Sequence, residues 1–321
     1  MRTPYSVMRK VKKLHCLTPS PDKSCGSLIK FQVTISAVYN GQRDGNISRL
    51  TGARGSSQIL SMDRSALKYY HVHDPDPKQL HERYYSAAAD CNIFEELFIF
   101  PIKQLLKISG TIKGESMIDL SAGPTIFHLI AICEGFKEIT ILECADSCIV
   151  ELEKWMKKEQ DAIDLSHTSQ IVAALEGNSD KWEEKEESLR GRIKHVLKCD
   201  FDKDNPTHPV VLKKADCLLS MSILNLVSKD HDTYCRNIRK MSSMLNVGGH
   251  LLLFGGFNSS FYTVGCESFH ALSCDEPFVR KAVQKAGFTI IIFETLESKV
   301  RNEVVHYEHV YFIEALKVRE K

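Results

Sequence analysis

Apolar and polar positions alternate along this chain in blocks that read as strands and helices in turn. Met117, Ile118 and Leu120 form a short apolar run of the kind a strand needs when both its faces are buried in a parallel sheet. The small residues Ser121-Ala122-Gly123 follow, and Pro124-Thr125 opens a helical run from Ile126 to Cys133, with proline at a tolerated early position. A second strand reads over Glu138–Glu143, a third over His195–Phe201, a fourth over Ala215–Met221 and a fifth over His250–Phe254. Amphipathic helices are predicted over Asn92–Lys107, Ile149–Lys158, the heavily charged Lys181–Lys194, Tyr234–Leu245 (closed by Val247-Gly-Gly249) and Glu276–Ala286 (stopped by Gly287). Two late strands, Phe288–Thr295 and His309–Leu316, are separated by a polar loop too short to hold a crossover helix, so they pair antiparallel. The expected architecture is a doubly wound α/β domain: a seven-stranded, mostly parallel sheet with an antiparallel hairpin at one edge.

The first 61 residues interrupt this pattern. Apart from a short apolar run over Leu28–Tyr39 they show no sustained period, and they are rich in Ser, Gly, Arg and Lys. They read as a mostly disordered basic extension, with the organised domain over residues 62–321 and Met62 a plausible start. Charge divides the same way. Residues 1–61 hold ten Lys/Arg against two acids, +8, which leaves −7 on the rest of a chain of net charge +1. A domain of that sign does not fit a nucleic-acid partner. No run of about 18 apolar residues reads as a membrane span. The eleven cysteines lack a C-x-x-C pair and fit a reduced, cytoplasmic protein better than a disulfide framework. Cys144 and Cys148, His71 and His73, and His306 and His309 have spacings too isolated to mark a metal site.

The candidate chemistry lies at the strand ends, which converge on one crevice in an open α/β sheet. There stand the small loop Ser121–Gly123, then Glu143, Asp200, Ser220–Met221 and Gly255. A loop of small residues opening onto a helix N-terminus, with an acid ending the next strand, is the arrangement that binds an adenosine ribose. Asp200 is placed to accept a hydrogen bond from an adenine amine. A dinucleotide site calls for G-x-G-x-x-G, and the first turn has one glycine. No nucleophile elbow, P-loop or HExxH is present, which leaves hydrolysis and phosphoryl transfer without support.

From about residue 62 onward the chain resembles the small-amine N-methyltransferases: the nicotinamide, indolethylamine and phenylethanolamine enzymes, which are class I S-adenosylmethionine-dependent methyltransferases. The resemblance is carried by Asp119-x-x-x-Gly-Pro-Thr125, Glu151-Leu-Glu-Lys-Trp155, Leu175-Glu-Gly-Asn-Ser179, Trp182-Glu-Glu-Lys-Glu186, Val196-Leu-Lys-Cys-Asp200, Ala215-Asp-Cys217 and Gly248-Gly-His250. The indolethylamine branch looks closest through the middle of the chain. The resemblance implies a Rossmann-like methyltransferase fold, S-adenosyl-L-methionine as cofactor, a small and hydrophobic amine as substrate, and a monomer. Carried over position by position, it implies that Tyr85 covers the cofactor and Ser121, Ala122 and Gly123 cradle its methionine part. Glu143 holds the ribose, and Asp200 and Phe201 frame the adenine. Leu80, Thr125, Phe127, Cys148 and Met221 complete the cofactor site, and Gly255, Tyr262 and Ala271 face the acceptor.

Several of these positions depart from the family pattern. Ser121-Ala122-Gly123 stands for Gly-Ser-Gly, Leu80 and Phe127 each stand for tyrosine, and Cys148 stands for asparagine. Gly255 replaces an aspartate, and Ala271 a serine, that orient nicotinamide in one branch. The alternative these departures raise is a catalytically weakened binding member of the same family.

Overall fold

The computed structural model describes residues 67–320. The basic extension therefore lies outside the described residues. The described residues open with a single helical turn α1 (Tyr70–His73), then α2 (Pro77–Tyr85), which starts on the proline and is capped by the Asp76 side chain. Next come α3 (Cys91–Phe94), a π-helical turn over Glu95–Ile99 and α4 (Phe100–Ile108). The expected helix over 92–107 thus carries a wide turn in its middle.

The alternating units follow: β1 (Gly114–Asp119), α5 (Phe127–Ile130), β2 (Phe136–Glu143), α6 (Asp146–Lys157), α7 (Ser166–Leu175), α8 (Trp182–Arg192) and β3 (Ile193–Lys198). Then come β4 (Ala215–Met221), α9 (Ile223–Val227), α10 (His231–Ser243), β5 (Leu245–Phe257), β6 (Phe261–Val264) and β7 (Glu267–His270). The chain closes with α11 (Glu276–Lys285), β8 (Phe288–Glu297), β9 (Val305–His306) and β10 (His309–Lys317).

Seven strands form one sheet in the order β3-β2-β1-β4-β5-β10-β8. β1 pairs parallel with β2 on one side (Ile118 opposite Thr140) and with β4 on the other (Ile118 opposite Leu218). Strand order reverses between β1 and β4, so the carboxyl ends of β1, β2 and β4 flank the switch point where such sheets bind ligands. The apolar run that predicted β1 is buried, as are Leu218 and Leu219 of β4 and Leu251–Leu253 of β5. This is the doubly wound, Rossmann-like methyltransferase fold.

The late strands pair antiparallel as expected, but they are arranged differently. β10 inserts between β5 and β8 and runs antiparallel to both, so edge strand β8 points the same way as β5. Other elements shift too. The expected helix Ile126–Cys133 is one turn, α5, followed by a 3-10 turn at Cys133–Gly135, because the loop after β1 uses much of the short crossover to β2. β3 stops at Lys198, and Asp200 lies in a turn, its carboxylate accepting the Asp202 N–H at 2.9 Å. β5 starts at Leu245 and takes in Val247-Gly-Gly249, expected to close the helix before it, with Gly248 at φ +87° and a register shift beside it. A small second sheet, β7-β6-β9, was not anticipated. Lys68 bridges to its outer strand at Phe269.

Candidate cofactor and acceptor site

The loop after β1 is tied down from both sides. Ser121 Oγ donates to Asp119 Oδ1 at 2.5 Å and accepts the Met221 N–H at 3.2 Å, which links the ends of β1 and β4. Ala122 N–H donates to Met221 O at 3.0 Å. Asp119 Oδ2 meets His128 Nε2 at 3.0 Å, and both side chains are buried. Gly123 then takes φ +89°, and a Cβ there would stand 2.7 Å from Leu80 Cδ2. Only glycine meets both conditions. Thr125 N–H closes the turn onto Gly123 O at 2.8 Å.

Glu143 ends β2 beside this glycine. Its Oε2 accepts the Gly123 N–H at 3.0 Å, and its Oε1 accepts the N–H groups of Cys144 and Ala145, the latter at 2.9 Å. The fourth donor is Tyr70, whose phenol lies 2.9 Å from Oε1. The same phenol oxygen accepts the Gly123 N–H at 2.7 Å and lies 3.5 Å from Cys148 Sγ. Burial, opposed by these hydrogen bonds, pushes the Glu143 carboxyl up to about 8. Burial also raises the Tyr70 phenol and the Cys148 thiol well above their ordinary values. Leu80, Gly123, Glu143 and Cys148 are thus brought together as expected. Tyr70 is the member the sequence reading missed. Its signal was thin: an adjacent tyrosine pair just before Asp74-Pro-Asp-Pro, with partners 53 and 73 residues away.

A hydrophobic wall continues from the loop. The Tyr85 ring centroid lies 5.0 Å from that of Phe127, which meets Phe98 at 4.7 Å. After β3, Cys199 N–H donates to Glu143 O at 2.8 Å, and Asp200 and Phe201, expected to frame an adenine, follow directly. The Asp200 carboxylate serves its own turn, and Phe201 O accepts from Lys240 Nζ at 2.9 Å.

The acceptor side is built by β5, α9 and the small sheet. Gly255 lies within β5 opposite Tyr311 of β10. A Cβ on Gly255 would stand 2.6 Å from Tyr311 Oη and 2.8 Å from Asn225 Oδ1, so the room an aspartate would need is filled. Asn225 Nδ2 donates to Leu272 O at 3.0 Å and lies 3.3 Å from Gly256 O; its carbonyl accepts the Leu272 N–H at 2.7 Å. It thereby fixes the segment that carries Ala271. Phe254 and Phe257 take opposite faces of β5: Phe254 approaches Phe100, whereas Phe257 stacks on Tyr311 at 4.4 Å. Tyr262 stacks on Phe269 at 5.2 Å; its buried phenol has no hydrogen-bond partner among the described residues, and its ionisation is opposed by burial and by nearby Tyr84, Cys148 and Glu143. Tyr262 therefore lies near Glu143 and Cys148. Asn225 and Tyr311 carried no motif and were legible only once β10 was placed beside β5.

These residues fit a hydroxyl-bearing ligand. A buried carboxyl and a loop N–H converge on one point, and the Tyr70 phenol there donates to one and accepts from the other. Tyr262 leaves a further polar atom without a partner among the described residues. Among the described residues no cluster of His, Cys, Asp and Glu is arranged to hold a metal, and no helix is long and apolar enough to cross a membrane.

Nicotinamide N-methyltransferase of Homo sapiens is 37% identical over 245 residues, covering 76% of this chain and 93% of that protein. Indolethylamine N-methyltransferase of Oryctolagus cuniculus is 38% identical over 216 residues, covering 67% and 82%. Phenylethanolamine N-methyltransferase of Homo sapiens is 31% identical over 215 residues, covering 65% and 76%. The first two identities are too close to favour one branch. The NNMT/PNMT/TEMT family pattern matches residues 65–318, and the chain belongs to that family of S-adenosylmethionine-dependent N-methyltransferases.

Proposed function

We infer that this chain methylates the nitrogen of a small amine with an apolar or aromatic body, and that nicotinamide is a poor acceptor. The observation that carries the reading is the packing at Gly255, where Tyr311 Oη and Asn225 Oδ1 hold the space a nicotinamide-orienting carboxylate would use. Ala271 likewise offers no hydroxyl to a carboxamide. A site without a given hydrogen-bonding group loses the matching preference.

Bound S-adenosylmethionine supplies a methyl group on a positively charged sulfur. Glu143 holds the ribose hydroxyls through its two oxygens. Ser121, Ala122 and Gly123, with Thr125 and Met221 behind them, cradle the methionine part, and Asp200 and Phe201 frame the adenine. Leu80, Tyr85, Phe127 and Cys148 form the wall that excludes water. Tyr262, kept neutral by burial, offers its phenol toward the amine beside Ala271 and Gly255. The enzyme's task is positioning, with the amine lone pair about 3 Å from the methyl carbon and in line with the bond that breaks. An amine that arrives neutral needs no general base.

The full engagement of Glu143 by Tyr70 and three backbone N–H groups favours a second reading, a weakened member that binds without turning over. Methyl transfer from labelled cofactor to nicotinamide and to a panel of aryl-alkyl amines separates the two. Transfer to an aryl-alkyl amine is expected, with little to nicotinamide. Efficient nicotinamide turnover would sink the substrate assignment. Silence across the panel, with cofactor still bound, would select the weakened member.

A further inference from the structure

The segment Lys68–Pro75 crosses the carboxyl ends of β1 and β2 as a strap fixed at both ends. At its start, Lys68 N–H donates to Ser268 O at 2.9 Å and Lys68 O accepts the His270 N–H at 2.7 Å, which stitches it to β7. At its end the Asp74 carboxylate takes the Ser147 N–H at 3.1 Å and the Ser147 hydroxyl at 2.9 Å, at the first turn of α6. That hydroxyl also lies 2.9 Å from Pro75 O. Within α1, Tyr70 is the one buried side chain, fully enclosed, whereas Val72 is 64% exposed. The strap's grip on the crevice is thus concentrated in one phenol. Its neighbour His71 is half-buried, its Nδ1 has no hydrogen-bond partner among the described residues, and Asp200 and Asp202 on the adenine side act on it.

The backbone around this phenol is suited to movement. α1 is one turn, too short to be stable by itself. Asp74 sits in the left-handed region at φ 49°, where a non-glycine residue stores local strain. The Tyr70 oxygen meanwhile occupies the point where the Gly123 N–H and a Glu143 oxygen converge, donating to one and accepting from the other. A ribose hydroxyl held by Glu143 would make the same pair of contacts.

We propose that Tyr70 is a built-in occupant of the ribose subsite, and that S-adenosylmethionine binds by displacing the Lys68–Pro75 strap. The proposal rests on the assignment of Glu143 to the ribose. A ligand that must first open a closed arrangement binds with its intrinsic affinity reduced by the fraction of molecules that are open. Removing the phenol oxygen, or loosening the strap's anchor, therefore tightens binding.

The test is calorimetric titration of the full chain with S-adenosylmethionine in the wild type, Tyr70→Phe, Asp74→Ala and Glu143→Ala, with amide hydrogen exchange in parallel. Tyr70→Phe is expected to bind about two- to tenfold more tightly, the worth of one neutral hydrogen bond. Asp74→Ala, which leaves the crevice untouched, is expected to shift affinity the same way. The cofactor is expected to speed exchange at His73 and at the His270 amide that holds Lys68. Weaker binding by Tyr70→Phe, or slower exchange of the strap with cofactor bound, would overturn the proposal by making Tyr70 a fixed wall of the site. Binding that survives Glu143→Ala unchanged would instead remove the ribose assignment and the strap mechanism with it. Binding lost in Glu143→Ala while Tyr70→Phe binds more weakly than wild type would overturn the strap alone.

Discussion

The two halves of the crevice treat their polar groups in opposite ways. On the cofactor side the chain satisfies itself: Glu143 receives three backbone N–H groups and a phenol, and Ser121 closes a circuit from Asp119 to Met221. On the acceptor side the Tyr262 phenol has no partner among the described residues, and the place of a side chain at 255 is taken by Tyr311 and Asn225. A self-satisfied site binds a ligand by exchange, breaking one set of hydrogen bonds to make another, so its affinity is the difference between two similar sums. An unpartnered buried group has nothing to give up, so a ligand that reaches it gains the whole bond. On the proposed assignment of the two halves, the first sets access and the second sets choice.

The largest expected effect probes the cofactor half through pH. Glu143 has its carboxyl raised from 4.5 to about 8 in the folded chain, so between those values the native state holds a proton the unfolded chain has released. Stability contributed by this group is complete below about pH 4.5 and falls as pH rises through about 8, with a slope of up to about 1.4 kcal/mol per pH unit. Glu143→Gln keeps one acceptor oxygen for the Cys144 and Ala145 N–H groups and cannot ionise. Thermal melting against pH is expected to flatten across that window in Glu143→Gln. An unchanged slope would place the titration elsewhere. Next in size, Glu143→Ala removes the acceptor pair and is expected to weaken cofactor binding by roughly 2–3 kcal/mol where both bonds are made by the ionised carboxylate, read by calorimetry above about pH 8. Unchanged affinity would dissolve the distinction between the halves.

The acceptor half is tested by filling Gly255. Gly255→Ala places a methyl 2.6 Å from Tyr311 Oη and 2.8 Å from both Tyr311 Cζ and Asn225 Oδ1, and is expected to cost about 1–3 kcal/mol of stability. Tyr311→Leu withdraws both ring atoms, so in the double variant part of that loss is expected to return as a measurable coupling. Additive losses would mean that Tyr311 does not hold the space. By the same packing, Gly255→Asp is expected to gain no nicotinamide methylation.

What was legible in the sequence follows the same division. β1, β2 and β4 could be read because strands buried on both faces must be nearly continuous apolar runs, and the cofactor loop because small residues follow one of them. Glu143 was found by its place at a strand end. The small sheet escaped because β6, β7 and β9 are four, four and two residues long, too short for a period to emerge. β10 was recognised as a strand, but its insertion between β5 and β8 is a matter of tertiary packing, and the contact between Tyr311 and Gly255 exists only in that order. Tyr70 was hidden for a like reason: its role is fixed by residues far along the chain, while its own surroundings, Tyr69-Tyr-His-Val-His73, show neither strand nor helix periodicity.

The smallest expected effect concerns a residue that ties two strands together within the cofactor half. Ser121 replaces a glycine of the family pattern, and its hydroxyl spans from Asp119 on β1 to the Met221 N–H on β4. Ser121→Ala breaks both contacts but leaves the Ala122 N–H to Met221 O bond, so the loop keeps its path. Asp119 also keeps its contact with His128. The expected cost is on the order of 1 kcal/mol of stability, two intramolecular hydrogen bonds at the low end of their net worth, and little change in cofactor affinity, because the hydroxyl is spent on the protein. Chemical denaturation and cofactor titration of the same preparation read the two effects apart. A fall in affinity much larger than the fall in stability would mean that Ser121 touches the cofactor itself, and that the cofactor half is less self-satisfied than its hydrogen bonds indicate.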